Sequence, residues 1–537
     1  MEVIRRALAV AFAAVLGVAA YAADPKPQPQ FHTSDRCVAC HNGLLTASGQ
    51  DVSIGFDWRA SMMANSSRDP YWQASVRRET IDHRESAAAI EDECSVCHMP
   101  IPRYDAKVRG EHGRVFEHLP FAADEKEGRQ AADGVSCAVC HQISTDKLGT
   151  PDSYNGGFVV QAPTDPDARP EYGPFEPEPG HRRIMLTSTE GYRPTQSAHI
   201  RESEMCATCH TLLTQALGPD GNVVGSLPEQ VPYQEWLHSD FKGTQSCQSC
   251  HMPDVGEPAP ATRVFGAMRD GLRRHSFVAA NFFMLRMLNR YRDALDVAAL
   301  PHELAGGADR TIDYLQSRAA TVRVDHVSVD GDRLSADVMV ENLGGHKLPT
   351  AYPARRAWLH VVVRDGSGRV VFESGALNAD GSINGNDNDA DAATFEPHYT
   401  EITAADQVQI YESILGDANG QVTTGLLQAT RYLKDNRLLP RGFDKRTADP
   451  EIAVHGGAET DPDFVAATDR VRYAIRLGGA SGPFTVNAEL RYQPVGFRWA
   501  NNLKRYDASE PHRFTSYYDS MSAASSTTLA NASATIR

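Results

Sequence analysis

All ten cysteines of this chain stand in one five-residue pattern, Cys-x-x-Cys-His. It occurs as Cys37-Val-Ala-Cys40-His41, Cys94-Ser-Val-Cys97-His98, Cys137-Ala-Val-Cys140-His141, Cys206-Ala-Thr-Cys209-His210 and Cys247-Gln-Ser-Cys250-His251. Two thiols three residues apart, with a histidine directly after the second, form the attachment site of a c-type haem. The thiols add to the porphyrin vinyl groups as thioethers, and the imidazole ligates the iron. Chance would place roughly 0.01 such pentapeptides in a chain of this composition. The expectation is five covalently bound c-type haems, with His41, His98, His141, His210 and His251 as proximal iron ligands. The following histidine, repeated five times, also excludes a disulfide framework.

What each iron does depends on its opposite face. A second histidine or a methionine gives a six-coordinate iron suited to electron transfer, whereas an open face can bind a substrate. Five further histidines are candidates for the distal position. His199 precedes the fourth motif by a short helix-like segment. His275 follows Arg273-Arg274 and is expected to open a Phe-rich helix. His346 lies in a Gly-Gly-His-Lys-Leu-Pro turn, where glycines permit close backbone approach. His181 follows Pro179-Gly180, and His238 sits in Trp-Leu-His-Ser. Met62 and Met63 are weaker candidates, since methionine more often fills core space. Asn384 to Asp391 is rich in oxygen donors and raises the possibility of Ca²⁺, although it lacks the full EF-hand spacing and also reads as a solvated Asx-rich loop. No phosphate-binding glycine loop and no zinc pattern occurs in the sequence.

The elements that must hold these residues can be read around them. Arg5-Arg6, the apolar run Ala7 to Ala20 and Ala20-Tyr21-Ala22 form a secretory signal peptide, residues 1–23. Export to the periplasm or the cell surface is therefore expected, where c-type haem is attached. No stretch is long and apolar enough for a membrane span. Apolar content of 41% and charged content of 23% describe an ordinary globular chain. A net charge of −16 argues against nucleic acid or anionic membrane as partner and suits contact with basic patches on other redox proteins. Five haems between residues 37 and 251 leave about 43 residues each, too few to bury them separately. The porphyrins are therefore expected to pack on one another.

The fold class expected is α+β. Residues 24–274 form a mainly α-helical, loop-rich haem domain, with a helix starting at Asp69-Pro70 and a long loop over 143–180. Residues 275–320 form a helical connector carrying Phe277, Phe282, Phe283, Leu285, Leu288 and Tyr291. Over 321–520 the period becomes alternating, with turns at Asp330-Gly331 and Asp365-Gly366, which predicts an antiparallel β-sandwich-like domain. Residues 521–537 are small and polar and are expected to be a loose tail.

Beyond the motifs themselves, residues 31–290 resemble the multihaem cytochrome c superfamily of hydroxylamine oxidoreductase, its tetrahaem acceptor cytochrome and the pentahaem nitrite reductases. The likeness lies in Met-Pro after the second and fifth motifs, in Ser203 to Thr211, in Glu229-Gln230 before Trp236, and in Ser246 to Pro253. Gly344 to Thr350 and Arg355-Arg-Ala-Trp358 resemble a group of exported multihaem cytochromes with a β-domain after the haems. The resemblance supports a distal role for His199 and implies electron transfer. Pentahaem nitrite reductases attach the catalytic haem at Cys-x-x-Cys-Lys, whereas all five sites here end in His. The expected function is an exported electron carrier passing electrons between redox partners. The alternatives are a reductase or oxidase of a small nitrogen or sulfur compound with one five-coordinate haem, and a subunit of an extracellular cytochrome filament.

Overall fold

Each Cys-x-x-Cys-His run forms or ends a short helix, and the helical period explains why the spacing works. Residues three apart share a helix face, so both thiols of a motif point the same way. In the computed structural model, which describes residues 31–161 and 169–537, the first motif lies in helix Asp35–His41, the second closes Ala87–His98, the third lies in Cys137–Gln142 and the fifth in Cys247–His251. The fourth straddles the end of Ser203–Ala207. Ser136 and Ser246 cap the third and fifth, accepting from the amides of Ala138 and Ser249, both at 3.3 Å. The expected signal segment, 1–23, lies outside the described residues.

Helix Pro70–Asp82 starts as its sequence requires. Asp69 accepts from the amides of Tyr71 at 2.9 Å and Trp72 at 3.3 Å, and Pro70 occupies the first turn, where its missing N–H costs nothing. The described part of 143–180 includes regular elements. Arg169–Gly173 pairs in parallel with Tyr192–Gln196, and Pro179–Ser188 is a helix.

The second half is built from seven long strands: β1 (Ala320–Asp330), β2 (Arg333–Asn342), β3 (Arg356–Arg364), β4 (Val370–Ser374), β5 (Thr468–Arg476), β6 (Phe484–Gln493) and β7 (Thr527–Ile536). One sheet runs β5-β2-β1, with Glu401–Ile402 added in parallel to β5; the other runs β4-β3-β6-β7. Alternation sets their faces: Leu334, Ala336, Val338 and Val340 of β2 and Phe484, Val486, Ala488, Leu490 and Tyr492 of β6 are buried. The β1–β2 connection is the two-residue turn Gly331-Asp332, with Gly331 at φ 59°. A smaller sheet places Ser413–Asp417 between Val422–Thr423 and Ala429–Asp435.

Two expectations need correction. Residues 521–537 are not a loose tail: β7 pairs antiparallel with β6, from Ile536 opposite Phe484 to Thr527 opposite Tyr492. Its many Ala, Ser and Thr residues carry little hydrophobic signal, although Leu529 is buried in the main core and Ala530, Ala532 and Ile536 pack against it. The Phe-rich helix of the connector is also not opened by His275. Asn281 caps a helix confined to Phe282–Arg290, a second runs Pro301–Arg318, and His275 precedes the first on a non-helical segment. Phe282, Phe283, Leu285 and Leu288 join Leu334, Val338 and Tyr492 in one core, together with Tyr71 and Ala74 of the haem-binding half.

Candidate functional site

One continuous cavity of about 1750 Å³ runs through the first half and is lined by all ten motif cysteines and all five motif histidines. The thiols show how the motifs sit relative to one another. Cys37 lies within hydrogen-bonding reach of Cys137, Cys97 of Cys209, and Cys206 of Cys247. Cys140 is close to Cys206 and Cys209. In space, motif 1 therefore adjoins motif 3, motif 3 adjoins motif 4, and motif 4 adjoins both 2 and 5. The fourth motif is a junction, an arrangement that chain order does not reveal.

The motif histidines are held as metal ligands need to be. His41 donates from Nδ1 to the carbonyl of Ala261 at 2.6 Å, His98 to Ser66 at 3.0 Å, His141 to Tyr172 at 2.5 Å and His251 to Val278 at 2.6 Å. A proton committed at Nδ1 leaves the Nε2 lone pair for a metal. Burial pushes His98 and His251 down to about 4, and His210 likewise, with His251 and Arg355 adding repulsion, so these imidazoles are neutral at pH 7. Trp72 stacks on the His98 ring at 4.4 Å, with the planes 4° apart.

Two candidate distal histidines are brought opposite motif histidines. The rings of His141 and His275 stand 6.3 Å apart between centroids, 18° from parallel; those of His251 and His346 stand 6.2 Å apart, 10° from parallel. An imidazole nitrogen about 2.0 Å from a metal puts its ring centre roughly 3.1 Å from it, so two rings trans on one ion lie about 6.3 Å apart. Both distal rings also donate from Nδ1 to backbone, His275 to Arg273 O at 3.1 Å and His346 to Lys347 O at 3.0 Å. Burial and the neighbouring His141 press His275 down to about 3. Among the described residues no second imidazole stands in this relation to His41, His98 or His210.

The remaining candidates are placed otherwise. His199 is buried, but its Nε2 is bound to Ile143 O at 2.9 Å and its Nδ1 to Ser197 Oγ at 2.6 Å. His181 has Nε2 on Val264 O at 2.7 Å. His238 bonds Gln234 O at 2.8 Å and pairs with Asp449 at 3.2 Å near the surface. Backbone carbonyls and a carboxylate thus consume the nitrogens that a metal would need. Met62 packs against the main core, Met63 contributes its carbonyl to Val135 N at 3.0 Å, and both line the cavity. In the candidate calcium segment, both Asp389 oxygens are taken by the Arg356 guanidinium at 2.8 and 2.9 Å, and Asn386 caps a short helix. These oxygens serve the protein's own donors and do not converge on a cation.

A second cluster, His398 with Asp461 and Asp469, is fully buried in the β half. It does not read as a metal site. Tyr399 N fixes the amide of Gln409 and Glu412 N that of Asn436, so both turn an NH₂ toward His398 Nδ1, at 2.9 and 3.1 Å. The His398 proton is therefore on Nε2, donated to Asp461 at 2.9 Å.

Sequence reasoning missed a charged cluster next to His346. Glu235 of helix Pro232–Leu237, Lys347, Asp435 and Arg437 are all buried. Burial alone would raise the Asp435 carboxyl, but Arg437 and Lys347 outweigh it and hold it well below the usual range. Nothing in the local sequence pairs residue 235 with residues 347 and 437, which meet only in the fold.

The motifs, the cavity they line and the α+β architecture are those of a multihaem c-type cytochrome fold. The pentahaem cytochrome c552 of Thermochromatium tepidum matches with a TM-score of 0.53 at 17% identity, over 94% of this chain and 99% of that one. At that identity the likeness speaks for the fold. Compared with protein-family models and with curated proteins, the chain finds no match. No helix of the described residues is long and apolar enough to cross a membrane.

Proposed function

We propose that the protein is an exported pentahaem c-type cytochrome that carries electrons between other redox proteins in the periplasm or at the cell surface. The observation that carries this reading is the pair of near-parallel imidazole couples, His141 with His275 and His251 with His346, whose spacing would suit one metal ion each and whose Nδ1 atoms are all committed to backbone carbonyls. Haem iron with two axial imidazoles exchanges one electron without needing to bind a substrate. The chain supplies the rest. Ten thiols fix the porphyrins covalently, backbone carbonyls orient the imidazoles, and the thiol contacts bring motif 4 against 2, 3 and 5. Three ends, at motifs 1, 2 and 5, then lead to one junction. The acidic balance of −16 favours partners with basic docking faces.

The test is electron paramagnetic resonance of the oxidised holoprotein, with the haem content counted by mass. Mass addition of five haems is expected, with a low-spin signal from the two haems of the His141–His275 and His251–His346 pairs, and His275→Ala and His346→Ala should each turn one of these two high-spin. A high-spin signal in the unaltered protein that responds to nitrite or hydroxylamine overturns the carrier reading in favour of a reductase or oxidase. Filaments in the secreted fraction would favour the structural reading.

A further inference from the structure

The residue that seats His346 belongs to the other half of the molecule. Glu235 lies on helix Pro232–Leu237, between the fourth and fifth motifs, and its side chain is fully buried. One oxygen, Oε2, accepts from the backbone amide of Lys347 at 3.0 Å and from Thr350 Oγ1 at 2.5 Å. The other, Oε1, lies 3.1 Å from Arg437 Nη1. Arg437 in turn grips Asp435 at 2.8 and 2.7 Å, and Lys347 Nζ reaches the same carboxylate at 2.7 Å. Two carboxylates and two cations are thus buried together with charges balanced, so removing one partner leaves an uncompensated charge. The loop has little room to shift. A Cβ on Gly345 would meet Phe241 and Trp236 at 3.2 to 3.3 Å, and Asn342 Nδ2 ties His346 O to Leu438 O at 2.8 and 3.0 Å.

We infer that Glu235 is the positioning residue for His346: it latches the Gly344–Thr350 loop of the β half onto the haem-binding half and so holds the imidazole 6.2 Å from His251. The inference rests on His346 being an axial ligand and adds how that ligand is set. The latch couples the two halves, because loosening their contact withdraws a ligand from one iron and leaves the His141–His275 pair untouched.

The experiment compares oxidised holoproteins by electron paramagnetic resonance and optical spectroscopy. His346→Ala should convert one haem's worth of low-spin signal to high-spin. Glu235→Ala should convert part of that same signal, with recovery on adding imidazole, and Glu235→Gln, which keeps an acceptor oxygen, should convert less. Thr350→Val removes one hydroxyl from the latch and should shift the midpoint potential of that haem alone, which keeps the test decisive if Glu235→Ala fails to fold. If His346→Ala alters spin while Glu235→Gln and Thr350→Val leave spin and potential unchanged, the latch is wrong and the ligand stands. If His346→Ala leaves the low-spin signal unchanged, the ligand reading itself falls, and the latch with it.

Discussion

The two halves of this molecule solve the problem of a core in opposite ways. The β half closes two sheets over Val338, Leu359, Tyr473, Val486 and Leu490, all buried, with the Phe282–Arg290 helix packed into the same core. The haem-binding half has only small apolar clusters, around Phe31 and Ile101, Trp72 and Met99, or Leu44 and Leu272, set around a cavity of about 1750 Å³. Close-packed side chains give the β half its interior. The first half instead encloses a cavity lined by the ten motif cysteines and five motif histidines. Polar burial differs as well. In the β half, buried charges are paired, as Arg356 with Asp389 and Lys347 with Asp435. In the first half several buried carboxylates are pushed up by burial, Asp133 to about 6 and Glu229 to about 7.

The largest test of this contrast is to prevent haem attachment. The full chain made without haem should lose hydrogen-exchange protection around the five motifs while β2, β5 and β6 stay protected. Protection retained throughout the motif helices would break the comparison. Next, Arg356→Ala leaves Asp389 buried and unpaired and should cost about 3–5 kcal/mol, read by chemical denaturation of the holoprotein with haem spectra unchanged. Third, Glu229 carries a raised folded-state value because burial and the nearby Glu79 oppose its charge. Its stabilising contribution is present below the unfolded value of about 4.3 and is lost as pH rises toward 7, on the order of 1–3 kcal/mol. Glu229→Gln should flatten stability between those pH values, and an unchanged slope would show that the carboxylate is solvated once haem is present. Smallest, Asp69→Ala removes a helix cap and should cost about 1 kcal/mol, detectable as a lowered melting temperature with no change in haem count.

Local patterns made much of this legible beforehand. The thioether cysteines, the proximal histidines, the Asp69-Pro70 helix start and the alternating strands from β1 to β6 all depend on residues close together in the chain, where spacing alone sets which side chains share a face. Elements with no hydrophobic period were not legible. β7 is mostly Ala, Ser and Thr, with Leu529 and Ile536 as its only large apolar residues, and its register against β6 is set by backbone hydrogen bonds that no local spacing announces.

The amino-acid sequence by itself determined five attachment sites and their proximal histidines, because each is a single helical turn that carries its own thiols and ligand. Tertiary structure decided which distant histidines face them. His275 and His346 meet His141 and His251, whereas His199 and His181 spend Nε2 on the Ile143 and Val264 carbonyls and His238 pairs its Nε2 with Asp449. The physical reason is that an axial pair is a contact across long stretches of chain. Its geometry is set by whatever seats the incoming loop, here the buried carboxylate of Glu235, and a partner of that kind leaves no trace in local spacing.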